Sequence, residues 1–294
     1  MIDCHSHLAD PAFTEDIDEV LERAKQANVI GVVVVAEFLG DFDKIIGLHN
    51  KYPSYIHPCI GIHPIQRDRE SVNGQSHFQG VEERIRKELN WLVGIGEVGL
   101  DFSPRFLKNG DDDKRNQREV FKKQIELANE LDLALNVHSR SAGRPTIDFL
   151  KENGAKKVLL HAFNGNIKSA RGGVESGYFF SIPPSFTLSE ETKAFVRSIP
   201  LEQLCLETDS PVLGPSREER NEPKNVLLSA QYIAKIKDVS VEEDIVIPPG
   251  YRFYEAVSGI QPDEFLLFDS GTGKEIGGRI LGFGRKSFIL ILEL

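Results

Sequence analysis

Two histidines near the start of the chain, His5 and His7, are separated by a single residue and follow a short apolar segment. In an extended strand, side chains two positions apart project from the same face, about 7 Å from each other along the chain. Two imidazole rings arranged in this way can close on one divalent cation. The pattern predicts one wall of a metal site, although a pair this short fits two unrelated histidines in a coil equally well.

Further residues of metal-ligand type stand at the ends of apolar runs elsewhere in the chain. They are Glu97 in GIGEVGLD, His138 in ALNVHSR, His161 in VLLHAFN and Asp209 in LCLETDSP. Imidazole nitrogens and carboxylate oxygens together suit divalent ions, and a shared carboxylate can bridge two ions about 3.5–4 Å apart. We therefore predict a centre for two divalent ions, with Glu97 as the bridging ligand.

The elements that must position these residues alternate between strand-like and helical patterns. Eight apolar runs are typical of strands: Ile2–Leu8, Ile30–Ala36, Tyr55–His63, Leu92–Asp101, Ala134–His138, Val158–Phe163, Tyr178–Pro183 and Leu204–Asp209. Amphipathic stretches between them predict helices at Ile17–Ala27, Val81–Leu89, Asn116–Leu131, Pro145–Lys151, Ile167–Glu175, Ser189–Ser198 and Pro223–Lys237. This α/β alternation over roughly 240 residues predicts a (β/α)8 TIM barrel, whose catalytic groups lie at the carboxyl ends of the strands. An open doubly wound sheet is the alternative, but no G-x-G-x-x-G joins a strand to a helix.

The composition is that of an ordinary globular protein with a negative net charge. The 294 residues are 40% hydrophobic and 27% charged, and the formal net charge is −10. An acidic chain of this kind is not a general electrostatic clamp for duplex DNA. The three scattered cysteines, with no secretory signal pattern and no apolar run of about 18 residues, predict an intracellular protein, cytoplasmic or nuclear, that binds no membrane. We expect it to be a monomer.

Several motifs resemble those of the TatD family of metal-dependent deoxyribonucleases. In chain order they are DCHSHL at the start, GIHP at residues 61–64, GEVGLD at 96–101, HSR at 138–140, HAF at 161–163 and ETDSP at 207–211. The segments at 116–128 and 220–223 are also similar to that family. The resemblance implies a metal-dependent hydrolase with a TIM-barrel fold. It also implies how the ligands divide: one ion on His5, His7 and Asp209, the other on His138 and His161, and Glu97 between them.

The resemblance further implies hydrolysis of DNA phosphodiesters, by an exonuclease that acts on strand ends or single strands. A water activated by two divalent ions would attack phosphorus, with Zn²⁺ as the expected bound ion and Mg²⁺ or Mn²⁺ as alternatives in activity. Glu97 and Asp209 are the predicted catalytic residues, and Asp209 could accept the proton of the water. His63, in GIHP, is the predicted contact of a substrate phosphate.

Other charged residues near the strand ends are candidates for supporting roles. Arg140 and Arg144 directly follow the fifth predicted strand and could bind the phosphate backbone of DNA. Glu207 lies two residues before Asp209 on the same strand face, so it could orient a metal ligand or be only an interior carboxylate. The acidic run Asp111–Asp113 is interpreted as a solvated loop ahead of the next helix.

The chain departs from the family pattern near its end. Residues 1–243 are predicted to form the TatD-like barrel domain, and residues 244–294 a Gly-rich tail in which Pro248 and Pro249 stop any helix. Two alternative functions stay open: a small-molecule amidohydrolase or lactonase on the same barrel, and a metal-binding protein whose activity is impaired by the altered end. Many amidohydrolases of that kind carry a modified lysine where this chain has Glu97, which favours the phosphodiesterase.

Overall fold

Eight strands, each followed by a helix, position the candidate ligands. The computed structural model describes residues 1–73, 76–239, 241, 267–268 and 275–276. The strands are β1 (Ile2–Ser6), β2 (Gly31–Val35), β3 (Ile56–Cys59), β4 (Gly94–Gly99), β5 (Ala134–His138), β6 (Val158–Leu160), β7 (Phe179–Ile182) and β8 (Leu204–Leu206). The helices are α1 (Ile17–Gln26), α2 (Phe42–Lys51), α3 (Val81–Glu88), α4 (Asp111–Leu131), α5 (Gly143–Glu152), α6 (Ile167–Glu175), α7 (Glu190–Ser198) and α8 (Val226–Lys237). All eight predicted strands are confirmed, most of them with shorter bounds.

The strands form one parallel sheet that curves into a nearly closed barrel. Hydrogen-bonded neighbours follow the chain order from β1 to β8. Between β8 and β1, the amide nitrogens of His7 and Asp209 donate to the carbonyl oxygens of Ser210 and His5 at 2.8 Å and 2.9 Å, respectively. The (β/α)8 prediction is therefore confirmed, and this topology places the carboxyl ends of all eight strands at one mouth.

Apolar side chains fill the inside of the barrel and the layer between the sheet and the helices. Each strand, or the residue just before it, contributes to an interior cluster: Ile2, Cys4, Val33, Val35, Cys59, Val93, Ala134, Leu159, Phe179 and Cys205. A larger cluster joins the outer face of the sheet to the helices, as where α1 buries Val20, Leu21 and Ala24. Because the interior is packed, chemistry is confined to the rim of the barrel.

The start of α4 differs from the sequence prediction. The helix begins at Asp111, so the interpretation of Asp111–Asp113 as a solvated loop is wrong. Carboxylates in a first helical turn are favoured by the partial positive charge of the helix N-terminus. The Asp113 carboxylate is also buried and accepts a hydrogen bond from the backbone amide nitrogen of Asn109 at 2.7 Å. A run of acidic residues therefore begins this helix instead of preceding it.

Helix α2 is not among the predicted helices. Its sequence, FDKIIGLHNK, has a glycine in the interior, which lowers its intrinsic helix propensity. The helix nevertheless buries Phe42 and Ile45 completely against the barrel. Packing of an apolar face stabilises most helices in proteins more than propensity does, which explains why the local pattern was an insufficient guide here.

The predicted domain boundary near residue 243 and most of the 244–294 tail lie outside the described residues. Within the tail, Leu267–Phe268 (β9) and Glu275–Ile276 (β10) pair as two short antiparallel strands. The division into residues 1–243 and 244–294 stays a prediction. In the described part of the chain, every helix is too short or too polar to cross a membrane.

Candidate metal centre

The barrel mouth gathers all six predicted metal ligands from the ends of five strands. His5 lies in β1 and His7 just after it, Glu97 lies in β4, His138 ends β5, His161 follows β6, and Asp209 follows β8. All except His7 are 5% exposed or less. The topology therefore brings together residues that are far apart in the sequence. Their role as ligands stays a prediction.

Half of the cluster surrounds the Oε2 atom of Glu97. The Nε2 atoms of His5 and His7 lie 3.2 Å apart. His5 Nε2 is 3.4 Å from Asp209 Oδ1 and 3.6 Å from Glu97 Oε2. His7 Nε2 is 3.1 Å and 3.4 Å from the same two oxygens. Four possible metal-ligand atoms, two imidazole nitrogens and two carboxylate oxygens, thus converge on one small volume, as the ligands of a single ion do.

The other half surrounds the Oε1 atom of Glu97. His138 Nδ1 and His161 Nε2 each lie 2.7 Å from this oxygen and 3.3 Å from each other. The Nε2 atom of His63 lies 3.5 Å from the same oxygen. The two oxygens of Glu97 therefore face two different groups of histidines, which is the arrangement expected of a carboxylate that bridges two ions.

A buried amide determines which nitrogen of His5 carries the proton. His5 Nδ1 lies 2.8 Å from the side-chain oxygen of Asn136, and the Asn136 amide nitrogen donates to the Cys4 carbonyl oxygen at 2.9 Å. Because the amide nitrogen is engaged with an acceptor, the amide oxygen accepts the proton of Nδ1. The Nε2 lone pair of His5 is then directed at the cluster, as a metal ligand requires. The sequence patterns do not predict Asn136, although it lies two residues before His138 on the same strand face.

Asp101 determines which ring nitrogen of His138 carries the proton, as Asn136 does for His5. Its Oδ2 atom lies 3.2 Å from His138 Nε2, across the ring from the Nδ1 atom that faces Glu97. Its Oδ1 atom accepts a hydrogen bond from the Ser103 amide nitrogen at 2.8 Å. With the proton held on Nε2, His138 presents the Nδ1 lone pair to the cluster. Asp101 is not among the predicted site residues; the signal for it is the G-L-D that ends the fourth predicted strand.

Glu207 is fully buried behind His161. Its Oε2 atom lies 3.6 Å from His161 Nδ1 and accepts a hydrogen bond from the Ser181 hydroxyl at 2.8 Å. Its Oε1 atom accepts one from the Ala162 amide nitrogen at 2.8 Å. The carboxylate is thus held in place from two sides, where its charge can orient the His161 ring. This geometry favours the orienting role over that of a mere interior carboxylate.

Electrostatics favour the charged forms of Asp209, of Glu97 and, before any cation binds, of His5, despite their burial. Burial raises the pKa of Asp209, but hydrogen bonds from His5 and His7 hold it well below its usual range. Burial and His161 lower the pKa of His5, but Asp209 and Glu97 outweigh them and raise it to about 10. Burial also raises the pKa of Glu97, but the surrounding histidines, His161 foremost, hold it well below its usual value. Ionised carboxylates in a buried site attract cations, and a divalent ion would displace histidine protons as it binds.

The possible metal-ligand atoms fit divalent cations in type and spacing. Three overlapping groups have their ligand atoms within 4.8 Å of one another: His5, His7 and Glu97; His5, His161 and Asp209; and His63, Glu97 and His138. Mixed imidazole and carboxylate ligands suit Zn²⁺ and accept Mn²⁺. The Nε2 atoms of His5 and His7 lie 3.2 Å apart, close enough for one cation to contact both.

One of the three predicted substrate contacts joins the cluster. His63 is 7% exposed and faces Glu97, so it lies in the centre itself and not on an open rim. Arg140 and Arg144 are exposed, and Arg144 pairs with Asp148 of α5 at 3.5 Å. Across the residues described, no hydrogen bond or ion pair connects either arginine to the cluster. Their contact with a substrate stays a prediction.

Known proteins similar to this chain match most of its length. The family model described as TatD related DNase matches residues 2–246. The human protein named Deoxyribonuclease TATDN3 is 51% identical to the chain over 251 residues, which cover 84% of this chain and 91% of that protein. An uncharacterized metal-dependent hydrolase of Methanocaldococcus jannaschii is 34% identical, covering 86% and 96%. The crystal structure of the TatD homolog YJJV from Escherichia coli has a TM-score of 0.69 and 25% identity, covering 87% and 94%. The chain therefore belongs to the TatD-related DNase family of metal-dependent hydrolases.

Proposed function

We propose that the chain is a metal-dependent deoxyribonuclease that hydrolyses phosphodiester bonds at strand ends or in single-stranded DNA with two divalent ions. The observation that carries the proposal is the position of Glu97, whose two oxygens face two separate groups of histidines. The family membership and the names of the relatives support the same class of reaction. A recessed centre on an acidic chain suits a flexible strand better than an intact duplex.

Six side chains would hold the two ions. One ion would lie on His5, His7 and Asp209, the other on His138 and His161, and Glu97 would contact both. Zn²⁺ fits the imidazole-rich ligand set best, and Mg²⁺ or Mn²⁺ could serve in turnover. Two bound divalent ions supply Lewis-acid stabilisation of charge on a phosphate and ease the deprotonation of a water.

Residues of the chain would move the proton and hold the substrate. His7 is the most exposed of the six candidate ligands, and its Nε2 atom lies 3.1 Å from Asp209 Oδ1. On this more open side of the centre, Asp209 can accept the proton of the attacking water. In the tautomer in which the Ile65 amide nitrogen donates to His63 Nδ1 at 3.0 Å, the Nε2 atom carries the proton and can donate to a phosphate oxygen. Burial lowers the pKa of His63 to about 3, so this ring would act as a neutral donor.

The same proposal assigns catalysis to residues 1–243, because the eight strands and all the candidate ligands lie within them. Residues 244–294 would be an appended segment. A variant that ends at residue 243 should fold and cleave DNA. Failure of this variant to fold, shown by circular dichroism, would contradict the division.

The test is a chelator-controlled assay on 3′- and 5′-labelled single-stranded DNA, with Zn²⁺, Mg²⁺ or Mn²⁺ added back singly. The protein should cut only with an added ion, and Glu97→Gln should lose roughly a hundredfold or more in kcat/KM together with bound metal. Glu152→Gln, at an exposed position at the end of α5, is the matched control. Unchanged cleavage by Glu97→Gln would defeat the proposal. Turnover of lactones or amides in place of DNA would favour the amidohydrolase, and a folded, metal-loaded protein without turnover would favour the impaired metal-binding protein.

A further inference from the structure

A cavity of about 260 Å³ opens beside the metal centre, between the segments that follow β1, β2 and β3. His7 forms part of its wall, so the cavity is continuous with the candidate ligands. Its other main lining groups are Asp10, Glu37, Phe38, Asp41 and Arg67. The volume corresponds to roughly nine waters at about 30 Å³ each, which is room for one small planar ring and not for a peptide or a duplex.

The charges in this cavity argue against a second phosphate site. Three carboxylates and one guanidinium line it, so its own charge is negative. Asp10 already accepts a hydrogen bond from a backbone amide at 2.7 Å, and Asp41 accepts from the Phe38 amide nitrogen at 3.1 Å and from Arg67 at 2.9 Å. No hydrogen bond or ion pair engages the Glu37 carboxylate within the described parts of the chain. When ionised, its oxygens can only accept, so they select a ligand that carries N–H donors.

Phe38 and Arg67 form one wall of the cavity as a stacked pair. The guanidinium carbon of Arg67 lies 5.0 Å from the centroid of the Phe38 ring, and Asp41 holds the guanidinium in place. The Arg67 side chain is 65% exposed, so it is accessible to a ligand. Unpaired bases stack on aromatic rings and on arginine guanidinium planes. The wall therefore offers a stacking surface, and Glu37 offers a contact for the edge of the stacked ring.

We propose that this cavity binds the nucleobase next to the scissile phosphate, with the base stacked against Phe38 and Arg67 and an exocyclic amine donating to Glu37. This inference rests on the proposed deoxyribonuclease function and adds a base preference to it. Cytosine presents an amine at position 4, whereas uracil and thymine present a carbonyl oxygen there. A carboxylate accepts from the amine and repels the carbonyl, so bases with an exocyclic amine are favoured over thymine and uracil.

Oligomers of deoxycytidine and of deoxyuridine make the sharpest comparison, because the two rings have the same size and differ at position 4. The wild-type protein should cut the deoxycytidine oligomer with roughly tenfold higher kcat/KM. In Glu37→Gln this ratio should approach one, because an amide can both donate and accept. Phe38→Ala should raise KM for both oligomers, and Glu152→Gln should keep the wild-type ratio. Thermal melting by circular dichroism would establish that each variant is folded.

Binding of dCMP and dUMP, measured by calorimetry with the added metal ion present, gives a second readout that needs no turnover. The wild type should bind dCMP more tightly, and Glu37→Gln should not distinguish the two nucleotides. Metal-dependent cleavage with a wild-type ratio near one and equal binding would overturn the base pocket and leave the nuclease standing. Selective dCMP binding without cleavage would keep the pocket and reject the nuclease. Neither cleavage nor binding would overturn both.

Discussion

Replacing Asp101 with Asn should weaken cation binding, although Asp101 is not itself a candidate ligand. Asp101 Oδ1 accepts from the Ser103 amide nitrogen at 2.8 Å, and Oδ2 lies 3.2 Å from His138 Nε2. In the variant, the Asn oxygen keeps the bond to Ser103, so the amide nitrogen faces His138. An amide nitrogen can only donate, so Nε2 must accept and the ring proton moves to Nδ1. That atom lies 2.7 Å from Glu97 Oε1, and its lone pair is then lost to an ion.

The expected loss is about 10–100-fold in affinity for a divalent ion and in kcat/KM, which corresponds to roughly 1.4–2.7 kcal/mol. Every candidate ligand side chain is still present, so the effect should stay below that of Glu97→Gln. Calorimetric titration of Zn²⁺ or Mn²⁺ into metal-stripped protein measures the affinity, and cleavage of labelled single-stranded DNA measures kcat/KM. Asp112→Asn, at an exposed position on α4, is the matched control and should match the wild type. Wild-type ion affinity in a folded Asp101→Asn variant would refute the argument from the tautomer.

Three further perturbations have defined outcomes. Gly99→Ala should lower the free energy of unfolding in urea by roughly 2–4 kcal/mol, because Gly99 has a φ of +138° and an added Cβ would lie 2.1 Å from the His138 carbonyl oxygen; a change within experimental error would contradict this. Burial, with His49 nearby, lowers the pKa of His57 to about 3. In the unfolded chain, the His57 ring takes up a proton near pH 6.5. The contribution of the neutral His57 ring to stability is therefore complete above about that pH and is lost as the pH falls toward 3. When the pH is lowered from about 7 to about 4, the free energy of unfolding measured in urea melts should therefore fall less for His57→Leu than for the wild type. Equal decreases would count against a contribution of His57 to the pH dependence. A chelator should lower Tm by several degrees and added Zn²⁺ should restore it, because an ion that binds only the folded state stabilises it by mass action; an identical Tm with and without chelator would argue against a bound ion.

The barrel and the convergence of its ligand-type residues could be predicted because both follow from simple rules. Strands buried on both faces are nearly continuous apolar runs, as GVVVV of β2 illustrates. Parallel barrel strands end at one mouth, so residues such as His138 and Asp209 could be assigned to one centre from their place at the ends of such runs. The structure brings the ring nitrogens of the histidines to between 2.7 Å and 3.6 Å of the carboxylate oxygens.

Asn136 and Asp101, which act through another side chain, were beyond these rules, whereas Glu207 was a candidate because it lies two residues before Asp209. Asn136 contacts His5 across 131 positions of the sequence, and no spacing pattern links the two. Asp101 ends a predicted strand, but its contact with His138 depends on how that ring is turned. The base cavity is formed by segments after three different strands, so its volume exists only in the folded chain. The run Asp111–Asp113 shows the converse, since a composition typical of loops is accommodated by a helix N-terminus.

If the proposed centre binds cations, the seam between β1 and β8 decides when it can first capture one. Asp3 Oδ1 accepts from the Thr208 amide nitrogen at 2.9 Å, and the hydroxyl oxygens of Ser6 and Ser210 lie 2.9 Å apart across the same seam. During synthesis, the N-terminal histidines leave the ribosome long before the carboxylate that completes their half of the centre. A polypeptide that stalls or is cut ahead of its eighth strand can therefore never assemble that half. Metal uptake would thus distinguish finished barrels from nascent or truncated ones.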